Sequence, residues 1–576
     1  MRLDGSDVDV AFGRHILLVG HYQSPGCWWI DRSQHKNARQ DGKMLSLRRS
    51  AAAASSSSSF SSSAVFSGRR RLFSVSPDNS TSKVKKRHDP TLSLPRQYLR
   101  DADLSNYDAT TYQRNDVMYD HASGRPILNN NSGDAMYKEK KYEVLSWRHV
   151  DNSDDGLEGE RVEITWADNV VTTYPATWLN EQIRLYESGD GRPSIPDAPV
   201  EPKYDVRRIP WSNLTEKDVR AADSGMTMSF EELVFGRVAG DTASSSRSTT
   251  TESDNANEGM GRAIEALYKY GFLLITGTPV HDGGTGVAAL SAAISGGDIK
   301  TSNVSLLARY RENAHVDEKD KEAPVTVLPD GTDGPLRTLY GNVWSTHSTA
   351  MAEGASQADS AYSSDGLPLH TDMCYFRNPP GLQIFCMAQP AVEGGESLFA
   401  DGLAVAERLR SECPEAFDML CRTPRRYPSI DTGTGWHLEG RGPVISAVDR
   451  GQGLPLEMRW GDIIQIRHND LDRLPDLPPL ASDGSGVPMG AAEADKWYAD
   501  LHSAHREWDA LLASDDFRLM MQLVPGDTVV VANQRCLHGR QRFRLDGNTA
   551  RIIMGCYVSQ EDLDSRFRRA GYWLPY

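Results

Sequence analysis

The sequence predicts a mainly β protein with helices (α+β), a double-sheet β barrel or jelly roll preceded by a small β-rich module. Three observations predict it. Short strand-like runs recur in the second half, GLQIFCMA, GESLFADG, DIIQIRHN, DTVVVANQ and ARIIMGCYV, with Gly and Pro turns between them. Helical stretches such as AVAERLRSECPEAFDMLC and AEADKWYADLHSAHREWDALLA interrupt these runs. Upstream, RVEITWADNVVTTYPATWLNEQI alternates apolar and polar residues around the turn ADN, which reads as a hairpin followed by a short helix.

In chain order, residues 1–135 do not read as a folded domain. From Met44 the stretch MLSLRRSAAAASSSSSFSSSAVFSGRRRLFSVSP is rich in Arg, Ser and Ala, and no Asp or Glu falls between Asp41 and Asp78. This is the composition of a mitochondrial transit peptide at about 44–73, with RLFS at Arg71–Ser74 resembling a matrix-protease site. Low-complexity disorder is the alternative. On this reading residues 1–43 are an upstream extension and residues 75–135 a polar linker. A small β-rich module is expected at 136–205; its only metal-binding imidazole is His149 and it has no cysteine, which argues against a structural zinc site. After the linker GRPSIPDAPVEPKYDVRRIPW, one larger unit fills 206–576. It opens with EGMGRAIEALYKYGFLLITGTP, an amphipathic helix, a turn at Gly271 and a buried strand. TASSSRSTTTESDNANEG reads as an insertion loop, with further polar insertions near 311–335 and 476–494.

Composition narrows the function. The chain has 576 residues and a net charge of −16, which argues against nucleic acid as a main partner. No apolar run reaches the ~18 residues of a membrane span. Seven cysteines, an odd number with no CxxC, fit a reducing compartment.

The chemistry is concentrated in GLPLHTDMCYF. Read as a strand, it projects His370 and Asp372 from one face. A surface ion pair or half of a metal site would look alike. A mononuclear Fe(II) oxygenase site takes two His and one carboxylate and leaves three positions open. The third ligand must then be a distant His. His538 in VPGDTVVVANQRCLHGRQRF follows a strand, and thirteen residues on Arg551 opens the next one. A guanidinium there can hold the far carboxylate of a bidentate 2-oxoacid.

HTD, then GGESLFADG, then LHGR with an Arg thirteen residues past the His resembles the Fe(II)- and 2-oxoglutarate-dependent dioxygenases of the taurine dioxygenase superfamily. The carnitine-biosynthesis branch is the most similar, from about Val162 onward. The resemblance implies a double-stranded β-helix (jelly-roll) core, with Fe(II), 2-oxoglutarate and O2 as cofactor and co-substrates and L-ascorbate as reductant. It implies His370, Asp372 and His538 as iron ligands, Arg551 for the 2-oxoglutarate C5 carboxylate and Ser397 as its hydroxyl partner. For Ser397 the alternative is a strand hydroxyl with no ligand. Members with an N-terminal zinc site carry clustered Cys where this chain has WLNEQIRLYE, so that zinc is not expected here.

The family also has an aromatic cage for a trimethylammonium group, at positions matching Tyr340, Trp344, Tyr362 and Tyr557. Ring faces attract a desolvated cation by roughly 2 kcal/mol. Without the resemblance each of these would read as a core or surface aromatic. Asp359 in ADSAY, where the γ-butyrobetaine enzymes have Asn, and Asn469 in IRHNDLDR imply the amino-acid end of trimethyllysine. A helix cap or loop carboxylate is the alternative for Asp359. The expected reaction is hydroxylation of N6,N6,N6-trimethyllysine at C3, the first step of carnitine biosynthesis, by a mitochondrial matrix enzyme, a homodimer by analogy. γ-Butyrobetaine hydroxylation is the alternative, and a non-catalytic dioxygenase-fold protein or a zinc protein with the same ligands stands behind it.

Overall fold

The structure is a computed structural model that describes residues 94–107, 112–114, 119–120, 125–126, 142–151, 160–187, 196, 200, 203, 205–236, 252–296, 334–346, 363–431, 435–480, 486–545 and 550–574. The transit-peptide stretch, most of the insertion near 311–335, and Asp359 and Tyr362 lie outside the described residues.

The first folded unit begins earlier than residue 136. A short helix, α1 (Arg96–Asp101), buries Leu99 against a three-stranded antiparallel meander of β1 (Val144–Asp151), β2 (Glu160–Trp166) and β3 (Val171–Pro175). The polar stretch before 136 is therefore not all linker. A helix of 6 residues is too short to show a period, and its docking is tertiary: Tyr174 Oη donates to Leu99 O at 2.6 Å. Asn169 closes the β2–β3 turn at φ 66°, a conformation Asn tolerates. Val162, Ile164 and Trp166 alternate inward, and α2 (Ala176–Glu187) covers them with Trp178 and Leu179.

The larger unit pairs β4 (Thr227–Ser229) in parallel with β5 (Phe272–Thr276). Between them runs α3 (Glu252–Tyr270), ending at Gly271 with φ 66°. That helix starts inside the stretch read as an insertion loop. Next come α4 (Thr285–Ser295), β6 (Val343–Ser345), β7 (Leu367–His370), β8 (Leu382–Gln389) and β9 (Ser397–Asp401). The helical stretch after β9 is broken in two, α5 (Gly402–Glu412) and α6 (Pro414–Arg422), because Pro414 has no N–H to continue the first helix. Then follow α7 (Ala491–Ala513), β10 (Leu519–Met521), β11 (Thr528–Ala532), β12 (Cys536–Arg540), β13 (Ile552–Val558) and α8 (Gln560–Arg569).

The two largest sheets are a six-stranded one in the order β4-β5-β11-β8-β13-β6 and a four-stranded antiparallel one in the order β10-β9-β12-β7. Period-two alternation sorts their side chains. Leu382, Ile384, Val530 and Cys556 point out under α3, α4 and α8. Phe385, Met387, Val529 and Val531 point in and meet Phe399, Leu519 and Cys536 of the smaller sheet. Phe399 sits at the centre, 5.1 Å from the Phe272 ring and 6.2 Å from Phe385. The far side of the smaller sheet is covered by α5, α6 and α7 through Leu403, Phe417, Leu501 and Trp508. The order is thus helices, sheet, sheet, helices. Arg535 locks one end: it pairs in two bonds with the fully buried Asp401 and donates to the carbonyls of Lys269 and Ile209. Among the described residues no helix is long and apolar enough to cross a membrane, and the six described cysteines are unpaired.

Candidate functional site

At the free edge of the four-stranded sheet, β12 puts His538 directly opposite His370, the last residue of β7, with ring centroids 4.4 Å apart. Gly539 makes this approach possible: a Cβ there would stand 2.6 Å from Leu367 O. The expectation that His370 and Asp372 share a strand face is corrected. The strand ends at His370, and Asp372 lies in the turn that follows. The ladder stops because the next N–H groups go elsewhere. Thr371 N–H donates to His468 O at 2.7 Å, and Asp372 N–H donates to Asn533 Oδ1 at 2.7 Å. Asn533 returns its amide to Asp372 O at 3.0 Å, and Met373 takes a left-handed φ of 54°.

This turn brings the three side chains together. Asp372 Oδ1 is 3.3 Å from His370 Nε2 and 3.6 Å from His538 Nε2. One ligand atom from each residue lies within 4.8 Å of the others. His370 Nδ1 is bonded to Pro368 O at 2.8 Å, which leaves Nε2 for the centre. Asp372 Oδ2 accepts from Tyr557 Oη at 2.9 Å and from Gln383 Nε2. Burial alone would raise the Asp372 pKa, but His538 and His370 outweigh it and hold the carboxyl at about 2. Burial pushes His538 down to about 4, so its nitrogen is unprotonated at neutral pH. For His370 burial acts downward, and the bond and charge of Asp372 overcome it and raise its pKa. Two imidazoles and an ionised carboxylate, each with one donor atom turned to a common point, fit a divalent iron with open positions.

Arg551 stands immediately before β13 and is 9% exposed. No carboxylate pairs with it among the described residues; its Nη2 reaches Gly395 O at 3.4 Å and its Nε is buried without a partner. Burial, then the charge of Arg540, pulls its pKa down to about 9. A buried cation with no counter-ion is a site that favours an anion. Ser397, buried on β9, lies opposite Arg540 and two residues from the Phe399–His538 pair, roughly 7 Å along the strand.

Of the expected cage, Trp344 and Tyr557 meet with centroids 6.2 Å apart and tilted rings. Tyr340 is 37% exposed in the turn before β6. Tyr557 has a second task, since its hydroxyl holds the Asp372 carboxylate. Burial and then the neighbouring Asp372 and Tyr340 raise its pKa well above the ordinary range. Asn469 is buried and engaged in its own turn, donating to Asp472 Oδ2 at 2.8 Å and accepting from Leu471 N–H at 3.0 Å. Gln383 and Asn533 were not singled out from the sequence. The signal for Gln383 was one amide in the apolar run LQIFCMA, on the face that turns toward the smaller sheet.

The family described as "Taurine catabolism dioxygenase TauD, TfdA family" matches residues 245–557, just over half of the 576-residue chain. The mitochondrial trimethyllysine dioxygenase of Rattus norvegicus is 30% identical over 237 residues, 41% of this chain and 48% of that protein. The trimethyllysine dioxygenase of Neurospora crassa is 30% identical over 38% of this chain and 48% of that protein. Dioxygenase str8 of Strobilurus tenacellus is 23% identical over 71% of this chain and 74% of that protein. The chain thus matches about half the length of the trimethyllysine dioxygenases. A solved asparagine oxygenase structure with Fe(II), 3-hydroxyasparagine and succinate aligns at a TM-score of 0.34 and 16% identity, covering 58% of this chain and 94% of that one.

Proposed function

The chain belongs to the TauD, TfdA family, and on that premise we propose that it hydroxylates N6,N6,N6-trimethyllysine at C3 in the first step of carnitine biosynthesis. The observation that carries this reading is the convergence of His370, Asp372 and His538 in a fold that also buries the unpaired cation Arg551. The two curated trimethyllysine dioxygenases support the choice of substrate.

His370, Asp372 and His538 would hold Fe(II). Iron bound there supplies O2 activation coupled to decarboxylation of 2-oxoglutarate to succinate and CO2. Arg551 binds the 2-oxoglutarate C5 carboxylate in a charge-assisted pair, with Ser397 donating from β9. Tyr557 and Gln383 keep one Asp372 oxygen occupied so that the other faces the metal. Trp344 and the ring of Tyr557, with Tyr340 and Tyr362, present aromatic faces to the trimethylammonium group. A quaternary amine has no N–H to donate, so rings suit it better than one carboxylate would. Asp359 attracts the substrate's α-ammonium and disfavours a lone carboxylate. In this reading the two sheets are the halves of a double-stranded β-helix, ascorbate serves as reductant, and the site of action is the mitochondrial matrix.

The deciding experiment offers trimethyllysine and γ-butyrobetaine side by side to the full chain with Fe(II) and 2-oxoglutarate. The expected result is succinate formed one-for-one with trimethyllysine carrying one added oxygen. Faster oxygen transfer to γ-butyrobetaine would move the assignment to the other substrate. No coupled turnover with either would leave a non-catalytic family member.

A further inference from the structure

A second group of metal-ligating side chains lies apart from this centre. His468, Asp470 and Asp509 each offer one ligand atom, and these atoms lie within 4.8 Å of one another. His468 and Asp470 stand just after the strand Trp460–Ile466, and Asp509 stands on α7. His468 is 4% exposed; its Nε2 faces Asp509 Oδ1 at 4.0 Å, too far for a hydrogen bond, and its Nδ1 is buried without a partner. One helical turn before Asp509, His505 is 8% exposed, and neither of its ring nitrogens has a hydrogen-bond partner. Two buried imidazoles with unused nitrogens are not the mark of a finished polar network.

The carboxylates are available. Arg425 and Arg473 both approach Asp470 through Oδ1, at 2.9 and 3.2 Å. Arg425 spends its other nitrogens on Asp476. Asp509 is half exposed and makes no hydrogen bond among the described residues. The charged groups acting on this pocket are Asp470, Asp476 and Asp509 against Arg425 and Arg473, an excess of carboxylate.

We propose that His468, Asp470 and Asp509 bind a zinc ion, with water as the remaining donor, at a structural site separate from the His370–Asp372–His538 centre. One imidazole and two carboxylates form a borderline donor set that suits Zn2+, and the exposed carboxylates give the ion its entrance. Such an ion ties α7 to the segment after Ile466. It also braces Thr371, which exchanges backbone and hydroxyl hydrogen bonds with His468 and stands between His370 and Asp372.

The test uses the full chain carrying His370→Ala and His538→Ala, which removes the first centre and makes the result independent of the enzymatic reading. After chelation, Zn2+ is titrated calorimetrically and bound zinc is counted by elemental analysis, with folding followed by circular dichroism. The expected result is one equivalent of zinc, weakened at least 10-fold by adding Asp509→Asn. No bound zinc in the folded double variant overturns the proposal. So does one equivalent whose affinity is unchanged by both Asp509→Asn and His468→Gln. Should the double variant not fold, the unsubstituted chain serves: its zinc content must drop by one equivalent on Asp509→Asn, and an unchanged content overturns the site.

Discussion

Thr371, between His370 and Asp372 and hydrogen-bonded to the His468 backbone, links two groups of imidazole and aspartate that differ in how their atoms are held. In His370–Asp372–His538 the atoms around the carboxylate and the first imidazole are committed, His370 Nδ1 to Pro368, Asp372 Oδ2 to Tyr557 and Gln383, the Asp372 backbone to Asn533, and His538 Nδ1 alone is buried without a partner. In His468–Asp470–Asp509 the imidazole is buried and unpartnered, while the carboxylates are half exposed and Asp470 is shared with arginines. The residue types are the same. The difference lies in the orienting contacts, and these make the first group a rigid face with open positions, where the second can adjust to an ion.

The largest effect expected from breaking this contrast is at the rigid centre. His538→Ala should lower succinate formation and trimethyllysine hydroxylation by at least ~1,000-fold, because two ligands remain where three are needed. Iron content and circular dichroism on the same sample separate metal loss from unfolding. Near-normal turnover would remove the triad from the reaction.

Arg551→Ala comes next. Losing a charge-assisted carboxylate pair costs about 1.5–3 kcal/mol, so KM for 2-oxoglutarate should rise roughly 10–150-fold. KM for trimethyllysine should move far less. Equal changes in both would make Arg551 a structural cation.

The orienting contacts themselves give a smaller effect. Gln383→Leu and Tyr557→Phe each release the Asp372 carboxylate, and each should weaken anaerobic Fe(II) binding roughly 10-fold or more. Tyr557→Phe keeps the ring, so its effect should fall on the metal and not on the trimethylammonium group. Unchanged Fe(II) affinity in both would mean that the backbone lock by Asn533 suffices.

How much of this was legible follows the same division. Short, nearly continuous apolar runs bounded by turn residues, such as β8, β11 and β13, were readable as strands, as were the Gly271 turn and the hairpin around Asn169. The three converging side chains were readable from their motifs. Their geometry was not: HTD looks like a strand, and only the bonds from Thr371 to His468 and from Asp372 to Asn533 end it. Those partners lie 97 and 161 residues away, beyond the reach of any local pattern. The second group was hidden for the same reason, since Asp509 joins His468 only through the packing of α7.

The smallest effect is a pH dependence of stability from the unpartnered imidazoles. Burial, then the charge of Arg425, pushes His505 down to about 3, and burial pushes His468 down to about 4. Both sit near 6.5 in an unfolded chain. The unfolded state therefore binds more protons between those values, so the contribution is fully present above pH 6.5 and is lost as pH falls toward 3. One such group gives a slope of up to ~1.4 kcal/mol per pH unit. Asp509 acts the other way: burial, then Asp470, raises it to about 6, so its contribution is present at acid pH and lost as pH rises through 6. The net slope should be shallower than two histidines alone would give. Urea unfolding of the chelated chain at pH 4.5 and pH 7 measures it, and His505→Asn should flatten it by about 1 kcal/mol per unit or less. A slope unchanged by His505→Asn would mean that this imidazole already has a partner in solution, and the contrast between the committed and the open group would narrow.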